Sequence, residues 1–380
     1  MDRNILVVTV VSAIFGTAIG LSEFILPYYL DSLGFSFANM GFIFAAAALT
    51  LSLFSVIIGA ESDVSGRKTY YALSLALASI ATLVTPVVHR IWELLTVKVL
   101  SNMASSIREA MHPVLLYDHA RLGFTKLLAR TRGFEWTFQG VGQLVAGSML
   151  LVLGFDYTFL FGGLILLAAL ILFTAAFQER MRTISPGSRL SLGKVFSLKS
   201  MSPNLWLIAF AFLIFTVGMS TSHSFIMPLF FTLKFGVSPV SSALIMCLHR
   251  LSLGVPMFFT GLVVKERLKW LCVGSLIFEG ATITLSGLAP DFTAATALWL
   301  SHDVLGAAVW IPAQATLIQR FSGETTRGRD TNTVQAITST GWVFGPILTG
   351  FLASVDVSLP FIVSGVIVIS SSTMLLILKE

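Results

Sequence analysis

Four residues near position 300 combine an acid with aromatic rings. Trp299, Asp303, Gly306 and Trp310 recur at steps of four, three and four, a spacing that places them on one face of a helix. A carboxylate flanked by indole rings can hold a cation by charge and by cation–π attraction, or it can carry a proton. His302 is adjacent and titrates near neutral pH, so it can share either role.

A second group of polar residues follows one face of the apolar segment around position 105. Its members recur at steps of three and four, and apolar residues fill the other side. They are Lys98, Ser101, Asn102, Ser105, Arg108, Glu109 and His112. Because a helix that faces lipid cannot tolerate such a stripe, it lines a cavity that binds a ligand or forms a buried network between helices. Both interpretations stay open.

Other polar side chains within apolar spans are candidates of the same kind. Glu23 and His223 occupy nearly equivalent positions, where each could contact a substrate or simply pair at a helix interface. Arg250 has a depth similar to that of Asp303, so the plainer interpretation of Asp303 is that it neutralises this arginine. Glu279 is expected to form a structural pair at the periphery.

Glu135 and Gln139 share one face of the following span. They could meet Arg108, in a substrate site or in an ordinary structural pair.

These residues must be held by membrane-spanning helices. Hydrophobic residues make up 55% of the 380 residues and charged residues only 11%, with a mean hydropathy of +0.87. Spans of about 20 apolar residues cross a ~30 Å hydrocarbon core as helices, because no backbone polar group can stay unpaired there. We therefore predict an all-α membrane protein with twelve transmembrane helices in two pseudo-symmetric six-helix bundles. The spans are 5–30, 37–58, 69–88, 92–117, 132–153, 157–177, 205–230, 239–263, 270–288, 292–319, 333–354 and 359–378.

The basic residues predict the orientation of these spans. Most of the 24 Lys and Arg residues fall in alternate loops, whereas only Arg90 and Lys234 fall in loops on the other side. The positive-inside rule then places both termini in the cytoplasm. A pI near 9.3 arises from these loops and gives no reason to expect a nucleic-acid partner. Short loops without a targeting segment favour a multi-pass protein of the plasma (inner) membrane.

The chain is predicted to consist of two related halves. A polar cytoplasmic linker over 178–204 separates an N-terminal bundle, 1–177, from a C-terminal bundle, 205–380. The halves repeat at an offset of about 200. Corresponding pairs are Phe24-Ile25-Leu26-Pro27 with Phe225-Ile226-Met227-Pro228, Gly59 with Gly261, Gly142 with Gly345, Gly147 with Gly350 and Pro113 with Pro312. Such duplication is typical of carriers with a site between repeats.

A short motif lies in the loop after the second span. Gly59, Asp63, Gly66, Arg67 and Lys68 form the pattern Gly-x3-Asp-x2-Gly-Arg-Lys. The glycine permits a tight turn, and the arginine can fork onto a carboxylate. A plainer interpretation is that the two basic residues only anchor the cytoplasmic side.

This motif, in this loop of a twelve-span chain, resembles the signature of the major facilitator superfamily. The resemblance implies that the loop latches the cytoplasmic face, with Asp118 as the partner expected here. It also implies that spans 1, 4, 7 and 10 line a central cavity, in agreement with the stripe on span 4. Lys98 stands where an arginine is common in that family.

We expect a secondary carrier of a small solute that works by alternating access. Proton-coupled export of amphipathic or cationic compounds is the leading hypothesis, with a proton on Asp303, Glu109 or Glu23. Proton-coupled uptake of a small anionic or polar metabolite is the alternative, because Lys98, Arg108 and Arg250 suit an anion. A non-transporting sensor on the same fold is a further alternative.

Other classes of protein lack support in the sequence. No phosphate-binding Gly-x4-Gly-Lys-Ser/Thr loop is present for an ATP-driven pump, and the histidines have no metal-ligand spacing for an enzyme. We therefore expect no enzymatic activity, no cofactor and no metal. The expected partners are a small-molecule substrate, protons and the lipid bilayer, and we expect the protein to act as a monomer.

Overall fold

The computed structural model describes residues 2–50, 67–119, 124–178, 201–257, 267–323 and 327–379, which form helices without a β-strand. The helices are α1 (Arg3–Ser32), α2 (Phe37–Thr50), α3 (Arg67–Val84), α4 (Ile91–His119), α5 (Phe124–Ala176), α6 (Pro203–His223), α7 (Ile226–Phe235), α8 (Pro239–Met257), α9 (Leu268–Leu288), α10 (Phe292–His302), α11 (Ala308–Phe321), α12 (Arg327–Ser339), α13 (Gly341–Ala353) and α14 (Leu359–Leu375). A 3-10 turn, Thr85–Val87, follows α3, and a π-helical turn, Asp303–Ala307, joins α10 to α11. Seven helical segments of the described chain are long and apolar enough to cross a membrane. The predicted all-α membrane fold is confirmed.

Several predicted spans differ in detail from the helices. Spans 5 and 6 form the single element α5, which is broken only at Gly154, where φ is 76° and ψ is −173°. A residue with a side chain would be strained in that conformation, so this glycine lets the chain reverse between the spans. Span 7 is divided into α6 and α7 at Ser224, and span 11 into α12 and α13 at Thr340. Of the predicted linker, residues 179–200 lie outside the described residues.

The chain forms two compact units. One unit comprises Met1–Gly34, Ala46–Arg189 and Ser238–Arg250, and the other comprises Phe35–Ala45, Leu190–Val237 and Leu251–Glu380. The core of the first unit joins side chains of α1, α3, α4 and α5 around Val11, Leu75 and Phe173. The core of the second joins α6, α9, α11, α12 and α14 around Phe212 and Leu276.

Glycines set how closely the helices of each unit pack. In the first unit Gly16 and Gly20 of α1 face the backbone of Glu135 and Gln139 in α5, and Gly142 of α5 faces the carbonyl of Thr17. A Cβ at any of these glycines would collide with the facing carbonyl oxygen. The spacing Gly16-x3-Gly20 predicts a close helix crossing, and these contacts place that crossing between α1 and α5. Such contacts matter in a bilayer because dispersion and backbone approach replace the hydrophobic effect between helices.

The second unit repeats these contacts at an offset of about 200. Gly345 of α13 faces Ser220 of α6 as Gly142 faces Thr17. The predicted repeat is thus visible in the packing as well as in the sequence.

Polar contacts at the ends of the helices repeat in the same way. The Nζ of Lys68 donates to the carbonyls of Thr174, 3.0 Å away, and Phe177, 2.7 Å away. In the second unit the Nζ of Lys269 donates to the carbonyls of Leu376, 2.7 Å away, and Leu378, 2.9 Å away. Each ammonium satisfies carbonyls that a helix C-terminus leaves without partners, and its charge suits the negative end of the helix dipole.

An amide contact also occurs once in each unit. Asn4 Nδ2 donates to the carbonyl of Gln178 at 2.8 Å, and Asn204 Nδ2 donates to that of Lys379 at 3.0 Å. Asn4 thereby joins the start of α1 to the residues after α5, and Asn204 joins the start of α6 to the residues after α14.

The packing of α9 against α14 gives a test with a matched control on one helix. A Cβ on Gly280 would lie 2.5 Å from the carbonyl oxygen of Gly365 and 2.7 Å from Ile369 Cγ1, whereas one on Gly274 meets nothing within 4 Å. We expect Gly280→Ala to lower the free energy of unfolding in detergent micelles by about 1–3 kcal/mol through overpacking. Gly274→Ala should leave it unchanged or raise it by up to about 1 kcal/mol through helix propensity. Equal effects would contradict the close contact.

Candidate functional site

A change of helix type positions Asp303. The α-helical pattern of α10 ends at His302, and a π-helical turn, Asp303–Ala307, precedes α11. Such turns shift the register of the side chains that follow and are frequent at functional sites. Gly306 lies in this turn against α9, and a Cβ there would be 2.7 Å from Glu279 Cβ and 3.1 Å from Glu279 Oε2. Only a glycine lets the glutamate side chain lie against the turn.

Two histidines and an acid form a buried chain of contacts in the second unit. His223 Nε2 is 3.1 Å from His302 Nε2, which is 3.4 Å from Asp303 Oδ1. Ser252 Oγ donates to Asp303 Oδ2 at 3.1 Å. His302 is 0% exposed and Asp303 2% exposed. The described part of the chain therefore places an acid and two imidazoles within one polar array inside a membrane-spanning segment.

The hydrogen bonds of this array indicate its protonation. His223 Nδ1 lies 3.1 Å from the carbonyl oxygen of Met219, which can only accept, and 2.8 Å from Ser222 Oγ, which can donate or accept. In the tautomer with the hydrogen on Nδ1, the Nε2 of a neutral His223 is an acceptor. His302 Nδ1 contacts the carbonyl oxygen of Trp299, and its Nε2 faces both His223 Nε2 and the Asp303 carboxylate. Acceptors thus face both nitrogens of His302. An imidazolium beside an ionised Asp303 satisfies all of these contacts.

The two tryptophans have different surroundings. Trp299 is 0% exposed and packs on the imidazoles, with ring centroids 4.8 Å from His223 and 4.5 Å from His302. Trp310 packs on Phe215, with centroids 4.5 Å apart. The sequence spacing assumed a regular helix with both indoles above and below Asp303. Trp299 lies one turn before His302 in α10 and covers the imidazoles, whereas the π-helical turn changes the register of Trp310, which follows it.

Glu279 is the acid that sequence reasoning undervalued. It is 0% exposed, and neither carboxylate oxygen has a hydrogen-bond partner among the described residues. Asp303 and the indole of Trp310 act on it electrostatically, although the indole N–H does not meet hydrogen-bond geometry. The expected structural pair at the periphery is therefore wrong. The sequence feature that could have indicated this is an acid inside an apolar span, followed directly by the small residues Gly280 and Ala281.

The stripe on α4 forms a buried ion pair in the first unit. Arg108 is 1% exposed, and its two terminal nitrogens donate to Glu135 Oε1 at 2.7 Å and Glu135 Oε2 at 2.5 Å. It also donates to Ser12 Oγ at 3.3 Å and lies 4.1 Å above the ring of Phe15. The suggested meeting of Arg108 with Glu135 is confirmed as a bidentate pair.

The rest of the stripe extends this network. His112 Nδ1 lies 3.3 Å from Ser12 Oγ, and His112 Nε2 lies 3.2 Å from Thr131 Oγ1. Glu109 is exposed and forms a bidentate pair with Arg132, at 2.6 and 2.5 Å. Arg108 and His112 therefore meet through one serine. Glu109 Oε1 lies 3.9 Å from Arg108 Nη1, and Arg132 Nη1 lies 3.6 Å from Glu135 Oε2, so the exposed pair adjoins the buried one.

The other candidates of the first unit are more dispersed. Lys98 is buried and interacts electrostatically with Glu23, which is exposed and accepts from Gln139 Nε2 at 3.1 Å. Asn102 is half-buried on the same helix as Lys98. Arg250 is half-buried, and its Cβ lies 3.2 Å from the position that a Cβ on Gly140 would take.

The loop motif is described only at its end. Gly59, Asp63 and Gly66 lie outside the described residues, as does the side chain of Asp118. Arg67 begins α3, and Lys68 follows it with the carbonyl contacts given above. The predicted latch between Arg67 and Asp118 stays a prediction.

The two ion pairs of α4 predict unequal contributions to stability. Glu135→Gln removes the bidentate counter-ion of the buried Arg108 guanidinium and leaves it only the exposed Glu109 carboxylate, 3.9 Å away, so we expect the free energy of unfolding in mixed micelles to fall by about 3–5 kcal/mol. Glu109→Gln removes the same charge from an exposed pair and should cost at most about 1 kcal/mol. Similar losses for both variants would show that burial does not govern the Arg108 pair.

Comparison with known proteins gives the family of this fold. The profile of the Major Facilitator Superfamily matches residues 8–301. "Multidrug resistance protein 2" of Bacillus subtilis (strain 168) is 22% identical over 377 residues, which cover 95% of this chain and 92% of that protein.

Solved structures share the fold at low sequence identity. A mutant of the nucleoside transporter NupG superposes with a TM-score of 0.80 at 13% identity, covering 99% of this chain and 100% of that one. A POT family transporter in complex with a thioalcohol-conjugated peptide gives a TM-score of 0.78 at 12% identity, covering 99% and 96%. Fold and sequence profile agree over most of the chain, which therefore belongs to the Major Facilitator Superfamily and is a multi-pass membrane transporter rather than an enzyme.

Proposed function

We propose that this transporter exports amphipathic or cationic compounds in exchange for protons, with Asp303 and His302 as the site of exchange. The observation that carries the proposal is the array of buried Asp303 and His302 with half-buried His223, covered by the indole of Trp299. An ionisable cluster within a membrane-spanning segment marks a proton or substrate pathway more often than a structural contact.

The array provides a way to couple the two ions. While His302 carries a proton, its imidazolium neutralises Asp303 across 3.4 Å. Loss of that proton leaves the carboxylate with the Ser252 hydroxyl as its neutral donor, so a cationic solute can take the place of the imidazolium charge. Proton and cation therefore compete for one carboxylate, which is the requirement for antiport when the site faces the two sides of the membrane in turn.

A cationic solute fits the charges better than an anionic one. The Arg108 guanidinium, a candidate anion contact, is already held by both oxygens of Glu135, and arginine does not deprotonate in proteins. The counter-ion of Asp303 is a histidine, which can lose its charge near neutral pH. Only the second of these pairs can exchange its counter-ion for a substrate.

Export is supported by the relative from Bacillus subtilis, whose name includes multidrug resistance. The distribution of basic residues in the sequence supports an inner-membrane protein with both termini in the cytoplasm. We propose that the protein acts as a monomer, with the substrate site served by alternating access of its two halves.

Proton-coupled uptake of a small anionic or polar metabolite is the second candidate. It is favoured by the fold shared with a nucleoside transporter and a peptide-bound transporter, and by the buried Lys98 ammonium. On that alternative, Lys98→Ala and Arg108→Ala abolish transport of anions while the protein stays folded. A sensor without transport would show no counterflow of any solute in liposomes.

Proton flux in proteoliposomes tests the leading proposal. We expect pooled cationic solutes to drive proton movement, followed with a pH-sensitive dye, in the wild type and not in Asp303→Asn, because a neutral amide can balance neither the His302 imidazolium nor a bound cation. Asp31→Asn makes the same chemical change at an exposed position at the end of α1 and should transport normally. Solute transport without proton movement, unchanged in Asp303→Asn, would contradict the assignment, and flux driven by pooled anions would favour uptake instead.

A further inference from the structure

The carboxyl group of Glu279 is a buried acid for which the exchange at Asp303 gives no role. It lies in the middle of α9, fully removed from water, and neither oxygen has a hydrogen-bond partner among the described residues. An ionised carboxylate in such surroundings has lost its hydration without gaining hydrogen bonds or a counter-ion. The group avoids this penalty by binding a proton.

The nearest charged group to act on Glu279 points in the same direction. Asp303 acts on it from the π-helical turn as a like charge, and the indole of Trp310 is a smaller, opposing influence. The helix α14, which packs on α9, contains no titratable residue, and α11 contributes only Arg320, which is exposed at its far end. The only titratable group of α10 is His302, and its charge is taken up by Asp303. The described elements around Glu279 therefore bring a second acid to it and no cation of its own.

Two acids in one low-dielectric site do not both ionise readily, because the charge of one opposes ionisation of the other. Asp303 has an imidazole at 3.4 Å and a hydroxyl donor at 3.1 Å, both of which stabilise its ionised form. Glu279 has neither. The proton of the pair therefore belongs on Glu279 while Asp303 is ionised.

Gly306 allows the side chain of Glu279 to approach the turn that contains Asp303. Its missing side chain lets the Glu279 carboxyl lie against the π-helical turn that begins at Asp303. Any larger residue would displace the carboxyl from this turn, since a Cβ would approach Glu279 Oε2 to 3.1 Å and Glu279 Cβ to 2.7 Å. The π-helical turn and Gly306 together leave a space that fits the Glu279 side chain.

We propose that Glu279 is a second proton-binding residue of the transporter, which holds its proton while Asp303 is ionised and releases it only when additional positive charge enters the site. In the release step the O–H bond of the Glu279 carboxyl breaks, the proton passes to water, and the remaining carboxylate faces the entering charge. A solute with one positive charge replaces the imidazolium charge at Asp303 and leaves Glu279 protonated. A solute with two positive charges also draws the proton from Glu279. The release step rests on the proposed exchange at Asp303, whereas the protonation of Glu279 does not.

Infrared spectroscopy of the purified protein tests the protonation directly. A protonated carboxylic acid has a carbonyl stretch well separated from the carboxylate bands. We expect the wild type at neutral pH to show this band and Glu279→Gln to lack it, with the band retained in Asp303→Asn and in the exposed control Glu109→Gln. An unchanged band in Glu279→Gln would overturn the proposal. If that variant does not fold, Glu279→Asp should shift the band, and an unshifted band would equally overturn it.

Proton release on ligand binding tests the second step. Tetraphenylphosphonium serves as the monocation and decamethonium as the dication, added to detergent-purified protein in weak buffer with a pH indicator. We expect decamethonium to release more protons per bound cation than tetraphenylphosphonium in the wild type, and the excess to be lost in Glu279→Gln. A purely structural role for Glu279 would lower binding without changing this ratio. Equal release by both cations in the wild type would overturn charge-triggered release.

The two experiments separate the proposals from each other. If neither cation binds, the proposed export function fails, while the infrared band still decides whether Glu279 carries a proton. If the band is absent but cations bind and release protons, the exchange at Asp303 stands and the assignment of Glu279 fails.

Discussion

A charge withdrawn from water must meet an opposite charge, hydrogen bonds or a proton, and both units of this transporter are organised by that requirement. In the first unit Arg108 meets the requirement with a bidentate carboxylate, a hydroxyl and an aromatic ring. In the second, Asp303 meets it with an imidazole and a hydroxyl. The positions of the helices depend on these buried charges and their partners, since a misplaced helix would leave a charge unpaired at a cost of several kcal/mol.

The two units share their backbone contacts and differ in their polar chemistry. Lys68 and Lys269 satisfy helix ends in the same manner, and Gly142 and Gly345 make equivalent close contacts. The lysine contacts depend on backbone carbonyl groups, which every sequence supplies, and the glycine contacts depend only on the absence of a side chain. The internal charges are free to diverge, so one unit holds a permanent arginine–glutamate pair and the other a titratable cluster. Differences in function within this fold therefore arise from the internal charges rather than from the backbone contacts.

The helices, the repeat and the arginine pair followed from the sequence because each depends on a periodic or local signal. Apolar length predicts a span, Gly16-x3-Gly20 predicts a close crossing, and Arg108 and Glu135 occupy facing stripes. The π-helical turn left no such signal, since one extra residue per turn does not alter composition. Its consequences were missed with it: Trp310 packs on Phe215, and Glu279 of α9 was assigned to the periphery although it faces Gly306.

Under the proposed exchange, the charges of the second unit account for how one cluster can hold either a proton or a cation. With His302 protonated, Asp303 ionised and Glu279 neutral, the three groups sum to no net charge. Removal of the His302 proton leaves one negative charge beneath the indole of Trp299, an environment that favours a large, weakly hydrated cation over a small hydrated one, because the ring offers cation–π attraction and no hydrogen-bond acceptor. Under the proposed exchange, selectivity for amphipathic cations therefore follows from the indole surface over the carboxylate rather than from a shell of oxygen ligands.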